Sequence, residues 1–345
     1  MDAIWRKLWK RCSNAFQYSI SFLGPQVEAC FQCGQAVKHV AGAVSASDVS
    51  IGSQHGEQAY YPLDSEWLRS RLCGPCFRTI PWINGIRCPI CGRNEQCDDC
   101  LRRKSTYFIC NRSSVKYDDQ MRDWLAVYKY RGNEDKAILL AHMLFPVYEK
   151  LTNDIGKALI ASQQHFEKNN RHDKQKRKLS LLEQVQKLNF IRHKFTHLSQ
   201  SIWDAVTYVP ISRERELERG FNQAEQLARM LADQYNLPLV NLLGRTRHSD
   251  KMSLQSRQAR ISSAVHLFEA RTAELNSFIK YIKHERKHNA AAVIQAKKTS
   301  VRLLVIDDIY TTGATANACA KALQTAEIDD PSVFMEIFFL TWARS

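Results

Sequence analysis

Two sets of residues in this 345-residue chain have the types and spacing for chemistry. The first is four C-x-x-C pairs, Cys30/Cys33, Cys73/Cys76, Cys88/Cys91 and Cys97/Cys100. Thiolates at that spacing converge on one soft cation, and two pairs together complete a tetrahedron around zinc. The second is "VIDDIYTTGATANA", Val305 to Ala318, where an apolar run ends in two carboxylates and turns through a Thr/Gly/Ala loop into an alanine-rich segment. Free N–H groups at a helix start, joined by threonine hydroxyls, cradle a phosphate, while carboxylates just before them can accept from vicinal sugar hydroxyls. The pattern fits a sugar phosphate: ribose on Asp307 and Asp308, its 5-phosphate on Thr311, Thr312, Gly313, Ala314 and Thr315. Neither a Walker lysine nor a G-x-G-x-x-G pattern accompanies this loop.

The cysteine pairs repeat in kind, since "CFQCG" and "CPICG" each place glycine after the second cysteine, where the backbone turns to aim N–H groups at sulfur. The repeat predicts two zinc sites, Cys30/Cys33 with Cys73/Cys76 and Cys88/Cys91 with Cys97/Cys100; crossed pairing satisfies the spacing as well. Cys12, Cys110 and Cys319 lack partners at ligand spacing and read as small apolar residues. His39 and His55 fall in a polar insert between the first two pairs and read as solvated. Arg87, Arg93, Arg102, Arg103 and Lys104 flank the second set. Zinc ribbons bind nucleic acid, bind protein or brace a neighbour, and these cations favour nucleic acid.

The elements that must position these groups follow from periodicity. Met121, Trp124, Leu125 and Tyr128 predict a helix ending at Gly132, and a second spans Asp135 to Lys150. Residues 162–200 form a polar excursion. Ala205 to Val209 reads as a strand, Pro210 and Ser212 as a turn, and Asn222 to Gln234 as a helix. Residues 245–263 look like a basic loop, while "RLLVIDD" and "SVFMEIFFL" are near-continuous apolar strands of the buried parallel kind. Strands alternating with helices predict an α/β fold, a parallel sheet with flanking helices, preceded by a small cysteine-rich zinc-ribbon domain. The expected organisation is an N-terminal helical segment (1–29), a double zinc ribbon (30–112) and the sheet domain (113–345).

A balance of 49 Lys and Arg against 35 Asp and Glu leaves a formal charge of +14. It falls to about +10 if eight thiolates hold two zinc ions, still favouring anionic partners. No run approaches the ~18 apolar residues of a membrane span, nor does the start carry a signal-peptide core, so a cytoplasmic location is expected, with thiols reduced. Ile4, Trp5, Leu8 and Trp9 alternate with basic residues in a short amphipathic stripe that packs on its own domain or touches anionic lipid.

The Asp307–Thr315 stretch closely resembles the PRPP-binding signature of type I phosphoribosyltransferases. The order of cysteine pairs, "KYRG" (Lys129 to Gly132), "VPISRERELERGFNQ" (Val209 to Gln223) and "VIDDIYTTGAT" further resembles ComF-type competence proteins, relatives of GntX. The resemblance implies a type I phosphoribosyltransferase-like sheet domain that takes PRPP with Mg²⁺, with Pro210, Ile211 and Ser212 at the pyrophosphate. Arg219, Gly220, Phe221, Asn222 and Gln223 match the family's RGFNQ motif beside the pocket. Lys129 and Arg131 either reach the pocket or sit on a charged helix end, and Gln255 and Arg260 are counterparts of a later family Gln and Arg. The implied role is that of a late competence protein handling incoming single-stranded DNA in natural transformation beside other uptake components, in the cytoplasm or peripherally at the inner face of the membrane. The alternatives are a PRPP-dependent transferase of unknown acceptor and a protein adaptor. Trp82, Tyr107, Phe108 and Tyr117 either stack bases or belong to the core.

Overall fold

A computed structural model describes residues 29–37, 66–95, 97–103, 105–131, 134–170, 202–246, 267–288 and 299–345. The expected helical segment 1–29 lies almost wholly outside them, as do Cys12, His39, His55, Lys104, Gly132, Gln255, Arg260 and the part of the polar excursion beyond Asn170. The chain divides into two compact units, Met1–Ile51 with Glu66–Thr79, and Gly52–Ser65 with Ile80–Ser345.

Within the first unit, the described helices are α1 (Glu66–Arg71) and α2 (Gly74–Arg78). Leu68 is buried beneath α1, and Phe31 meets Trp67 edge-to-face at 5.9 Å. Among the described residues of this unit the buried set is small, Cys30, Val37, Leu68, Leu72 and Cys73, and a metal held there would contribute folding energy.

The second unit runs α3 (Asp98–Leu101), β1 (Cys110–Lys116), α4 (Asp119–Arg131), α5 (Glu134–Asn170), β2 (Ala205–Tyr208), α6 (Arg213–Arg219) and α7 (Gln223–Tyr235). There follow β3 (Leu243–Arg245), β4 (Phe268–Ala270), α8 (Thr272–His288), β5 (Thr299–Tyr310), α9 (Ala314–Gln324) and β6 (Val333–Arg344). Four strands form a parallel sheet in the order β1-β6-β5-β2; β3 and β4 pair antiparallel apart from it. β5 and β6 are the expected apolar strands. Val301, Leu303, Leu304, Val305 and Ile306 are all fully buried, as befits a central strand covered on both faces.

β1 is a strand that apolar patterning does not reveal. Its sequence, "CNRSSVK", puts Asn111, Ser113 and Ser114 inside. Burial of Asn111 and Ser113 is tolerable because Asn111 Nδ2 donates to Ser113 Oγ at 2.9 Å and to the Cys91 carbonyl at 3.1 Å, and the Ser113 and Thr341 hydroxyls pair at 2.6 Å; the Ser114 hydroxyl has no hydrogen-bond partner among the described residues.

α4 buries Met121, Trp124, Leu125 and Tyr128, the predicted stripe. α5 is longer than expected, running 37 residues rather than stopping at Lys150, with Pro146 inside it. Leu151 and Thr152 remain buried past that point, and Thr152 accepts from the Trp203 indole at 2.8 Å; tertiary contacts carry the helix onward. On α9, Ala316, Ala318, Cys319, Ala320 and Leu323 are buried, and the small side chains of the first four let the helix lie close to its neighbours. Cys110 and Cys319 are buried too, as small apolar residues.

Candidate functional site

The carboxyl ends of β2 and β5 open into a cleft of about 1010 Å³, where open parallel sheets present ligands. β5 carries Asp307 and Asp308 to its floor, and the chain then turns through Thr311 and Thr312 to Gly313, which precedes α9 with φ 77°. Only glycine is at ease there: a Cβ would strike the Tyr310 hydroxyl and stand 2.5 Å from an Arg103 guanidinium nitrogen. Thr311, Thr312, Ala314 and Thr315 line the cleft around the start of α9.

The facing wall begins at the end of β2, where Pro210, Ile211 and Ser212 line the cleft and Ser212 caps α6 through its hydroxyl. The RGFNQ residues that follow build the corner between α6 and α7. Gly220 ends α6 with φ 78°. Asn222 caps α7 by accepting from Ala224 N at 3.0 Å, and its amide donates to the Val209 carbonyl at 3.1 Å. Arg219 donates to Gln223 Oε1 at 2.8 Å, Phe221 packs on Tyr128 at 5.5 Å, and Tyr128 donates to the Gln223 carbonyl at 3.1 Å. Arg219, Asn222 and Gln223 all reach the cleft surface.

That corner holds α4 so that Lys129 enters the cleft and pairs with Asp308 at 2.5 Å. The side chain of Arg131 lies outside the described residues. Burial and the adjacent Asp308 charge hold the Asp307 carboxyl well above the usual carboxylate range, outweighing the Asp308 N–H and the more distant Lys129 and Arg245. The cleft therefore presents an ion-paired carboxylate beside one that favours its proton, an arrangement that an incoming cation would reverse.

Several lining residues carry no mark of the cleft in the sequence, Arg93 among them, whose place beside the cysteines suggests nucleic acid instead. Arg245, at the end of β3, stands at the edge of the stretch read as a basic loop; its Nε is buried without a hydrogen-bond partner among the described residues. Glu214 and Arg215 come from α6, and Arg93 and Asp99 from the cysteine-rich segment. Nothing in their local spacing marks them, because they meet the acids only through the fold.

The cysteines gather into the two uncrossed quartets. In each, the four Sγ atoms lie within 4.8 Å of one another, compatible with the roughly 3.8 Å between sulfurs around tetrahedral zinc. The quartets are built alike. Gly34 and Gly92 adopt φ 73° and 75°, donating back to the Cys30 and Cys88 carbonyls at 2.8 and 3.0 Å. Cys73 and Cys97 then open short helices, α2 and α3. Burial and neighbouring thiols push Cys76 and Cys100 up, a cost of ionising those two sulfurs that a bound cation would offset. Both quartets can hold zinc.

Of the arginines beside the second quartet, Arg87 and Arg102 are exposed. Arg103 is turned inward, toward Tyr310 and the Thr312 carbonyl, and Arg93 donates to the Ser345 carbonyl at 2.8 Å. Phe108 is core, edge-on to Phe339 at 5.2 Å, whereas Trp82, Tyr107 and Tyr117 are partly exposed.

No protein-family profile matches the chain. It is similar to the competence protein ComFC of Bacillus subtilis, with 25% identity over 73% of this chain and 78% of that protein. It is likewise similar to the competence protein ComFC of Streptococcus pneumoniae, with 27% identity over 77% of this chain and 86% of that one. Both likenesses support a ComFC-type competence protein. Among the described residues no helix is long and apolar enough to cross a membrane.

Proposed function

We propose, with the ComFC-type likeness as premise, that this protein handles incoming single-stranded DNA during natural transformation and that its cleft binds PRPP with Mg²⁺ as ligand or switch. The observation that carries the cleft reading is the junction of β5 and α9, where two carboxylates precede a glycine-turned threonine loop at a helix start. Asp307 and Asp308 would receive the ribose hydroxyls, and the Thr311–Thr315 loop the 5-phosphate. Pro210, Ile211 and Ser212 would face the pyrophosphate, with the Nε of Arg245, which has no hydrogen-bond partner among the described residues, as a donor for an anion. Mg²⁺ would draw Asp307 into its ionised form and take over charge that Lys129 now balances.

Support for DNA handling comes from the named relatives, the net charge of +14 and the exposed Arg87 and Arg102. The other uptake components are partners that this role implies. Location in the cytoplasm, or at the inner membrane face, belongs to the same reading.

A second reading, a PRPP-dependent transferase, is favoured by the cleft's size. At about 1010 Å³ it lies at the top of the range of roughly 300–1,000 Å³ common for ligand sites, leaving space for an acceptor beside a sugar phosphate. In that case the cleft would stabilise positive charge developing at the ribose C1 as pyrophosphate departs.

The deciding experiment is calorimetric titration of the zinc-loaded protein with PRPP and Mg²⁺, with the Asp307→Asn/Asp308→Asn double variant as control. Saturable binding lost in the variant supports the pocket; heat changes identical in both proteins would discard it. Pyrophosphate release with a panel of bases and amines, absent in the variant, would favour the transferase.

A further inference from the structure

We infer that the second cysteine quartet, Cys88/Cys91/Cys97/Cys100, is the brace that shapes the Thr311–Thr315 loop, and that Arg103 is the positioning residue joining the two. The affinity part of this inference rests on the phosphate role proposed for the loop; the mechanical part does not.

The quartet shares one apolar core with β5, β6 and α9, and Cys91 is fully buried in it. From Cys100 the chain leaves α3 and within three residues sends Arg103 to the loop. Its two terminal nitrogens reach the Tyr310 hydroxyl at 3.4 Å, and one of them donates to the Thr312 carbonyl. That carbonyl belongs to the residue before Gly313, the single position where the loop depends on a positive φ. A charged, half-buried guanidinium therefore fastens the peptide next to the turn.

Three further links run in parallel. Arg344, buried on β6, points one nitrogen at Cys91 Sγ at 3.6 Å and another at the Tyr310 carbonyl at 3.3 Å, with its guanidinium 4.9 Å from the Tyr310 ring centre. Asn317 on the second turn of α9 accepts from Tyr107 N at 3.0 Å and donates to the Ser105 carbonyl at 3.3 Å. Arg93 donates to the Ser345 carbonyl, while Ser345 N donates to the Tyr310 carbonyl at 3.0 Å. Tyr310, one residue before the loop, is thus held on one side by Arg103, from the segment that follows the quartet, and on the other by Arg344 and Ser345 at the end of β6, which Cys91 and Arg93 tie back to the quartet.

Without a cation, four buried thiols offer each other little beyond weak S–H contacts, such as Cys91 to Cys97 at 3.4 Å. With zinc they form a rigid node. Loop geometry would then follow metal occupancy. Pre-organised donors bind an anion more tightly than donors that must first be ordered, so a loosened brace weakens phosphate binding without removing a single group that touches phosphate. A free-standing nucleic-acid ribbon would have Arg103 in solvent and the quartet outside the core.

The test uses the full-length zinc-loaded protein and two readouts: amide hydrogen exchange across Tyr310–Ala316, and calorimetric affinity for PRPP with Mg²⁺. In Arg103→Ala, zinc content should be unchanged, with exchange about tenfold faster and PRPP binding about tenfold weaker, as for loss of a charge-assisted hydrogen bond. Arg103→Lys, which keeps the charge without the forked donors, should fall between. Thr106→Ala, an exposed position three residues on, should match wild type in both readouts. Cys97→Ser, lacking one zinc equivalent, should loosen the loop at least as much. Unchanged exchange across the loop in Arg103→Ala overturns the inference, whatever Cys97→Ser does to folding. If wild-type protein shows no PRPP affinity, the exchange readout still decides the brace, and that failure counts against the ligand alone.

Discussion

Asp307 is under two opposing demands. As a ribose and cation ligand it would have to be ionised, yet burial and Asp308 raise its pKa well above the ordinary carboxylate value. A raised folded-state pKa means that the native protein binds more protons than the unfolded chain between the two values. Stability contributed by this group is full below the unfolded pKa of about 3.9 and declines as pH rises toward the folded value. Asp307→Asn should therefore stabilise the protein at pH 8, with little change near pH 3.5. Urea unfolding at the two pH values measures this; equal effects at both would contradict the electrostatic cause. Gain of stability together with loss of ligand is the usual signature of a group kept for function.

At the scale of elements, the corner between α6 and α7 shows how a motif can matter while touching little ligand. Asn222 is buried, and its side chain caps α7 while holding the end of β2 through Val209. Asn222→Ala removes a helix cap and leaves a buried carbonyl unpaired, for a combined cost of about 2–3 kcal/mol. Chemical denaturation should show that loss, and a far smaller one for Glu218→Ala, on the exposed surface of α6. The same corner sets the position of Lys129, so the Asn222 variant should also weaken any cleft ligand through misplacement.

For the molecule as a whole, charge makes a prediction that geometry refines. Single-strand affinity should fall steeply with salt, the log–log slope losing about 0.7 for each phosphate contact removed. Arg87→Ala/Arg102→Ala should reduce that slope by about 1.4, because both side chains face solvent. Filter binding across a salt series checks this, and a flat salt dependence would remove electrostatics from the account. Arg93 and Arg103, engaged inside the second unit, should lower the slope little.

By itself the sequence determined whatever depends on neighbours along the chain. Apolar runs declared β5 and β6, helical spacing declared the buried face of α4, and C-x-x-C-G declared two glycine-turned knuckles; each signal is local because backbone geometry makes it so. The acids and the threonine loop were legible for the same reason, being one contiguous strand, turn and helix start. Tertiary structure alone decided that β1, polar throughout its middle, is a strand, because Asn111 and Ser113 find their partners on residues distant in sequence. It also brought Arg245 and Arg93 to the cleft and turned Arg103 away from solvent, although its neighbour Arg102 stays exposed. The two arginines are alike in type and adjacent in sequence. What separates them is the loop that a folded sheet delivers to one and not the other, a difference of desolvation and partner that no local pattern encodes.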